Sequence, residues 1–279
     1  MKFEKRKVLS SLVCICAALV IVMGLMPVAA EAILYGITYN DELISIDATT
    51  GAGTLIGNLD SSMGAFGLAG YDGKLFTFDQ NADVVVELDP FTAATIATFD
   101  VGLGDIIGEG SIAFRSDGVG FLTVSGGPVG YMYQFNIDTL TSSFVGYLPY
   151  AMDGLDFNGS DTLFGLTQSD PYLGSHKLYT INESDASGLF IGDTGVTGND
   201  SSPLAGLSFA LDGTLYAIMN DSLYQLNPTN GSVIESIGTT GFDLVTGLTA
   251  STAVPEPSTL ILLGTGLVGL LGFKRKFRT

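Results

Sequence analysis

Five times the chain opens a short strand on an apolar or aromatic pair: Leu34-Tyr35, Leu75-Phe76, Phe121-Leu122, Leu163-Phe164 and Leu215-Tyr216. The intervals between these pairs are 41, 46, 42 and 52 residues. A unit this short cannot bury its own apolar faces, so its copies must stack, and that requirement narrows the fold more than any other property of the chain. Four of the pairs follow a Gly- or Ser-plus-apolar strand and a tight turn, beginning at Gly67-Leu68, Ser111-Ile112, Gly154-Leu155 and Gly206-Leu207. The turns use Asp-Gly and Asn-Gly, which supply the positive φ of a hairpin. Downstream come a third strand and a second turn, at Asp47, Asp89-Pro90, Asn136, Asn182 and Asn227-Pro228. A fourth strand ends each unit, as in Thr54-Leu55-Ile56-Gly57.

Four short strands per roughly 44 residues is the period of a propeller blade. The spacing predicts an all-β, five-bladed β-propeller of four-stranded blades, with no capped helical periodicity in the body. The Gly-apolar…Asp-Gly-x-apolar-aromatic cadence resembles NHL and YVTN-type propellers, and the resemblance implies a fold, not an activity. The first unit starts at Leu34 already on its second strand. Its missing piece is Gly247-Leu248-Thr249-Ala250-Ser251 at the far end. The C-terminal strand is therefore expected to complete the first blade and close the ring.

The ends read differently from the body. Residues 1–32 carry Lys2, Lys5, Arg6 and Lys7, then an apolar run from Val8 to Met26 and the small-residue pattern Ala30-Glu31-Ala32. That is the plan of a secretory signal peptide helix. Cys14 and Cys16 lie inside it, so a processed chain has no cysteine. The body, 33–253, keeps 3 cations (Lys74, Arg115, Lys177) against 26 carboxylates, a formal charge of −23. Binding nucleic acid or an anionic surface needs cations in numbers, so both are excluded as partners.

Residues 254–279 begin with Pro255-Glu256-Pro257, an extended spacer. An uncharged, glycine-containing run to Phe273 and the cations Lys274, Arg275, Lys276 and Arg278 follow. The run, about 16 residues, is short against the roughly 20 a bilayer span needs, and the cations obey the positive-inside rule. This order resembles the PEP-CTERM sorting signal of bacterial envelopes. The resemblance implies export, a temporary transmembrane helix, cutting near Pro255-Glu256-Pro257 by an exosortase-type membrane protease, and association with exopolysaccharide.

In a blade, turns one-two and three-four share one face of the disc, and connections two-three and four-to-next share the other. The first set is short; the second holds the irregular segments, where binding usually lives. Ile33 and Ser251 both fall on the short-turn face, so an anchored chain is expected to present its long loops away from the membrane. The fourth blade is expected to carry the two longest insertions. They make a candidate binding face of Asp170, Tyr172, His176, Asp193 and Asp200, together with Lys177 and Asn199. Their oxygens make Ca²⁺ a candidate ligand, although no EF-hand or nonapeptide spacing is present.

The favoured reading is a non-enzymatic surface or matrix propeller. The alternative is a polysaccharide-cleaving propeller using channel carboxylates drawn from Asp105, Glu109 and Asp156. No Ser-His-Asp order, phosphate loop or HExxH motif supports other chemistry.

Overall fold

The computed structural model describes residues 33–60, 63–104, 108–125, 129–169, 174–198 and 204–251. The signal peptide, the proline motif, the transmembrane helix and the basic terminus lie outside these residues. Twenty strands and no helix make up the described chain, arranged as five four-stranded antiparallel sheets. Blade two is β4–β7 (Ala65–Phe99), blade three β8–β11 (Gly110–Leu148), blade four β12–β15 (Met152–Thr197) and blade five β16–β19 (Ala205–Thr239). Blade one takes β1–β3 (Ile33–Asn58) and, as its innermost strand, β20 (Val245–Ser251). Leu34 pairs with Ala250, Tyr35 with Thr249 and Gly36 with Leu248, so the ring is closed by its own last strand.

The core is five apolar layers, one between each pair of neighbouring blades. Tyr35, Ile37 and Leu43 meet Leu68, Leu75 and Val86 between blades one and two. The closing layer sets Leu34, Ile44, Ile46 and Leu248 of blade one against Ile218 and Leu223 of blade five. Inner strands are therefore covered on both faces and read as continuous apolar runs, whereas outer strands alternate with solvent.

Two sets of close approaches explain the repeating glycines. At the axis, a methyl on Gly154 would lie 2.8 Å from Leu207, one on Gly206 2.8 Å from Leu248, and one on Gly247 2.6 Å from the Leu68 amide. Gly67 meets Ile112 in the same way, at 2.7 Å. The Gly-Leu signature is thus the contact by which one inner strand abuts the next. At the rim, Gly57, Gly146, Gly192 and Gly238 each receive the three-four turn of the following blade, where a methyl would overlap a turn carbonyl.

Those three-four turns are one structure made five times. Asp47, Asp89, Asn136, Asn182 and Asn227 each accept, on Oδ1, the backbone N–H two residues on, at 2.8 to 3.0 Å. Four residues on, Gly51, Ala93, Leu140, Ala186 and Gly231 have positive φ. Asp and Asn begin the turn because a short oxygen-bearing side chain satisfies its free amides.

Candidate functional site at the channel mouth

Inner strands start on the long-loop face, so the residues just before the glycine ring form the mouth of the channel there. In four blades that position holds Phe66, Gly110, Ala205 and Thr246; in blade four it holds Asp153. Asp153 is buried, and neither carboxylate oxygen has a hydrogen-bond partner among the described residues. Burial first, and the nearby Glu109 second, push its carboxyl well above the usual carboxylate range. Glu109, immediately before β8, is itself raised by burial. The mouth therefore holds two acids that resist ionising together. Sequence reading named Glu109 and missed Asp153; the available signal was a charged residue directly before the repeat glycine.

Asp156 belongs elsewhere. It follows Gly154 toward the short-turn face, four residues of strand from the level of Glu109, or roughly 13 Å. Its Oδ2 accepts the Phe209 amide at 2.7 Å and the Ser208 hydroxyl at 3.1 Å, and its Oδ1 accepts the Phe157 amide at 2.8 Å. Ser208 in turn accepts the Ala250 amide at 2.7 Å. This chain ties the inner strands of blades four, five and one. Burial pushes Asp156 up to about 6 against those bonds, which pull it down.

Of the blade-four residues nominated from sequence, Asp170, Tyr172, Asn199 and Asp200 lie outside the described residues. His176 and Lys177 are on β14 and Asp193 is on β15, so three expected loop residues are in strands. Because β15 runs to Thr197, the longest connection on this face is the ten residues 100–109 between blades two and three, not an insertion in blade four. His176 is fully buried; its Nδ1 donates to the Thr167 carbonyl at 2.8 Å, and burial lowers its pKa. The ring is held neutral, with Nε2 left without a partner among the described residues. Asp193 accepts the Ser175 hydroxyl and, at 2.8 Å, the Gly195 amide. Among the described residues no group of three or more His, Cys, Asp or Glu could hold a metal ion.

The body's cations are engaged. Lys74 pairs with Glu87 at 3.1 Å, and Arg115 bridges Asp117 at 2.8 Å and Glu183 of the next blade. Asp193 is held below the usual carboxylate range, first by the Ser175 hydroxyl, with the Gly195 amide and the charge of Lys177 adding to it.

Comparison with solved structures returns propellers. The chain overlays the crystal structure of a nidogen/laminin complex with a TM-score of 0.52 and 11% identity, covering 80% of this chain and 99% of that one. A structure assigned to a gluconolactonase family gives 0.50 and 14%, covering 78% and 81%. A gluconolactonase from Xanthomonas campestris gives 0.48 and 12%, covering 78% and 79%. At these identities the likeness is one of fold. No curated protein matches the chain in sequence. Residues 253–276 match the model of the PEP-CTERM protein-sorting motif. The chain is thus a five-bladed β-propeller that carries a PEP-CTERM sorting signal for export at its C-terminus.

Proposed function

We propose that this protein is a non-enzymatic propeller of the cell surface or extracellular matrix, trimmed by an exosortase-type protease and acting there by binding polysaccharide. The observation that carries this reading is the disposition of the channel acids. Glu109 precedes its inner strand on the long-loop face, whereas Asp156 lies near the short-turn end of its own, beyond the close contacts of the Gly-Leu ring. Their separation exceeds the roughly 5–9.5 Å over which paired carboxyls hydrolyse a glycoside. Asp156 is engaged by three donors. Because Ile33 pairs with Ser251, the chain leaves the body at both ends on the short-turn face.

A second reading has one observation in its favour. Glu109 and Asp153 share the channel mouth with raised pKa values, as a general acid requires. In that case the protein cleaves a polysaccharide. Incubating the full chain with a polysaccharide panel, with and without calcium, and assaying reducing ends separates the two. Retention without new reducing ends supports binding. Reducing ends that vanish in Glu109→Gln support cleavage and overturn the first reading.

A further inference from the structure

We infer that the outer hairpin of blade three is a stacking platform for neutral polysaccharide. The inference rests on the binding role proposed above and gives that role a place and a ligand class. Tyr131 and Tyr133 on β10 (Gly130–Asn136) pair with Tyr147 and Phe144 on β11 (Thr141–Leu148). The register shifts between Met132 and Tyr133, leaving Val145 as an extra residue, and this brings Phe144 and Tyr147 to the same face. The four rings form one unbroken run: Tyr131 to Tyr147 at 5.5 Å, Tyr147 to Phe144 at 5.3 Å, and Phe144 to Tyr133 at 5.4 Å between centroids. Tyr147 is 65% exposed and Phe144 48% exposed.

The repeat supplies its own control. The same two cross-strand positions hold Lys177–Asp193 and Tyr179–Phe190 in blade four, and Ser222–Thr239 and Tyr224–Ser236 in blade five. In blade one they hold Glu42–Asn58 and Ile44–Leu55. The scaffold stands without four rings there, so blade three does not need them to fold. A connected aromatic surface left open to water marks an interaction site.

The ligand class follows from charge. Burial raises the Tyr133 hydroxyl, and the further influences on it are Tyr131 and Tyr147, not carboxylates. Tyr216, by contrast, feels Asp212 and Glu235. The platform thus gathers three hydroxyls over aromatic faces, without charge, on a body of formal charge −23. A pyranose chain is complementary to it, with apolar C–H faces to stack and hydroxyls at the rim to bond. An anionic polymer, or a second copy of the same acidic body, would meet repulsion from the body's net negative charge.

The test uses the full chain, purified in a detergent without a sugar headgroup, with soluble β-glucan, mannan and alginate as probes. The chain has no tryptophan, so its intrinsic emission comes from its 11 tyrosines, and the part that the triple variant loses reports on the platform. The variant Tyr131→Ser/Phe144→Ser/Tyr147→Thr copies blade five and keeps Tyr133. Leu211→Ser, an exposed change on blade five, is the surface control. Expected are a tyrosine signal on titrating β-glucan or mannan, at least tenfold weaker binding in the triple variant with its melting temperature kept within a few degrees, and parental binding in Leu211→Ser. Neutral-glycan binding equal in parent and triple variant overturns the platform while leaving the binding role standing. So does a parent dimer on gel filtration that the variant loses without any glycan response. Retention on alginate alone overturns the ligand class. Release of reducing ends would instead overturn the binding role itself.

Discussion

Leu248 stands opposite Gly36 in the pairing of the last strand with the first. The same leucine fills the space beside Gly206, so one side chain both completes blade one and packs it on blade five. Deleting residues 247–251 is expected to lower the melting temperature by well over ten degrees. Gly247→Ala is a milder probe of the same seam, because its methyl would meet the Leu68 amide and the Gly67 carbonyl carbon, both backbone. Overpacking of this kind costs about 1–3 kcal/mol. Urea unfolding of the two variants against the parent checks both, and a truncated chain that melts with the parent would contradict the closure.

Leu140 gives the opposite sign. It occupies the turn position that Gly51 and Gly231 fill in other blades, with φ at 53° and its side chain 53% exposed. Leu140→Gly relieves a left-handed conformation that costs roughly 1 kcal/mol in a residue with a Cβ. A rise in urea midpoint without a change in slope is the expected result. Ala93 and Ala186 share that conformation but are buried, so glycine there gives up packing and gains less.

Asp156 makes the stability depend on pH in a direction unusual for a carboxylate. Its pKa is about 6 in the folded chain against 3.8 in the free side chain. The folded state then holds a proton that the unfolded state has lost. Its contribution is fully present below about pH 3.8 and falls away as the pH rises to about 6. Asp156→Asn cannot titrate. The stability of the parent relative to this variant is expected to drop by roughly 2–3 kcal/mol between pH 3.5 and pH 7. Paired chemical denaturation series at the two pH values measure it, and a difference that stays flat or rises removes the assignment.

The tail offers a test in cells. If the sorting motif directs trimming, the mature protein carries a C-terminus near Pro255-Glu256-Pro257 and lacks Lys274 to Arg278. Replacing Pro255 and Glu256 with alanine is expected to leave the precursor intact and cell-associated. Intact-mass measurement of parent and variant, recovered from the surface fraction, reads this directly.

The blades were legible because their signals are local. Asp47 and its four counterparts fall at one place in each unit, and the inner strands begin with Gly or Ser followed by an apolar residue for a reason that one contact explains. Closure was legible too, since a strand missing at one end matched a strand left over at the other. The limits of β15 were not. Gly192, Asp193 and Gly195 interrupt its alternation, and tertiary pairing with β14 carries the strand through them. Asp153 sits one residue before a glycine that sequence reading had singled out, but its burial depends on the neighbouring blade. The aromatic run of blade three was hidden as well. Tyr131 and Tyr133 read as ordinary strand alternation, and only the register shift in the hairpin sets Phe144 and Tyr147 beside them.

The seam between β1 and β20 also sets an order of events. The first strand to leave the ribosome finds its inner neighbour only when the last residues of the body have been made. Until then blade one lacks its inner strand and the ring stays open. The longest-range pairing in the molecule is therefore the last that synthesis permits, and it is the one that shuts the circle.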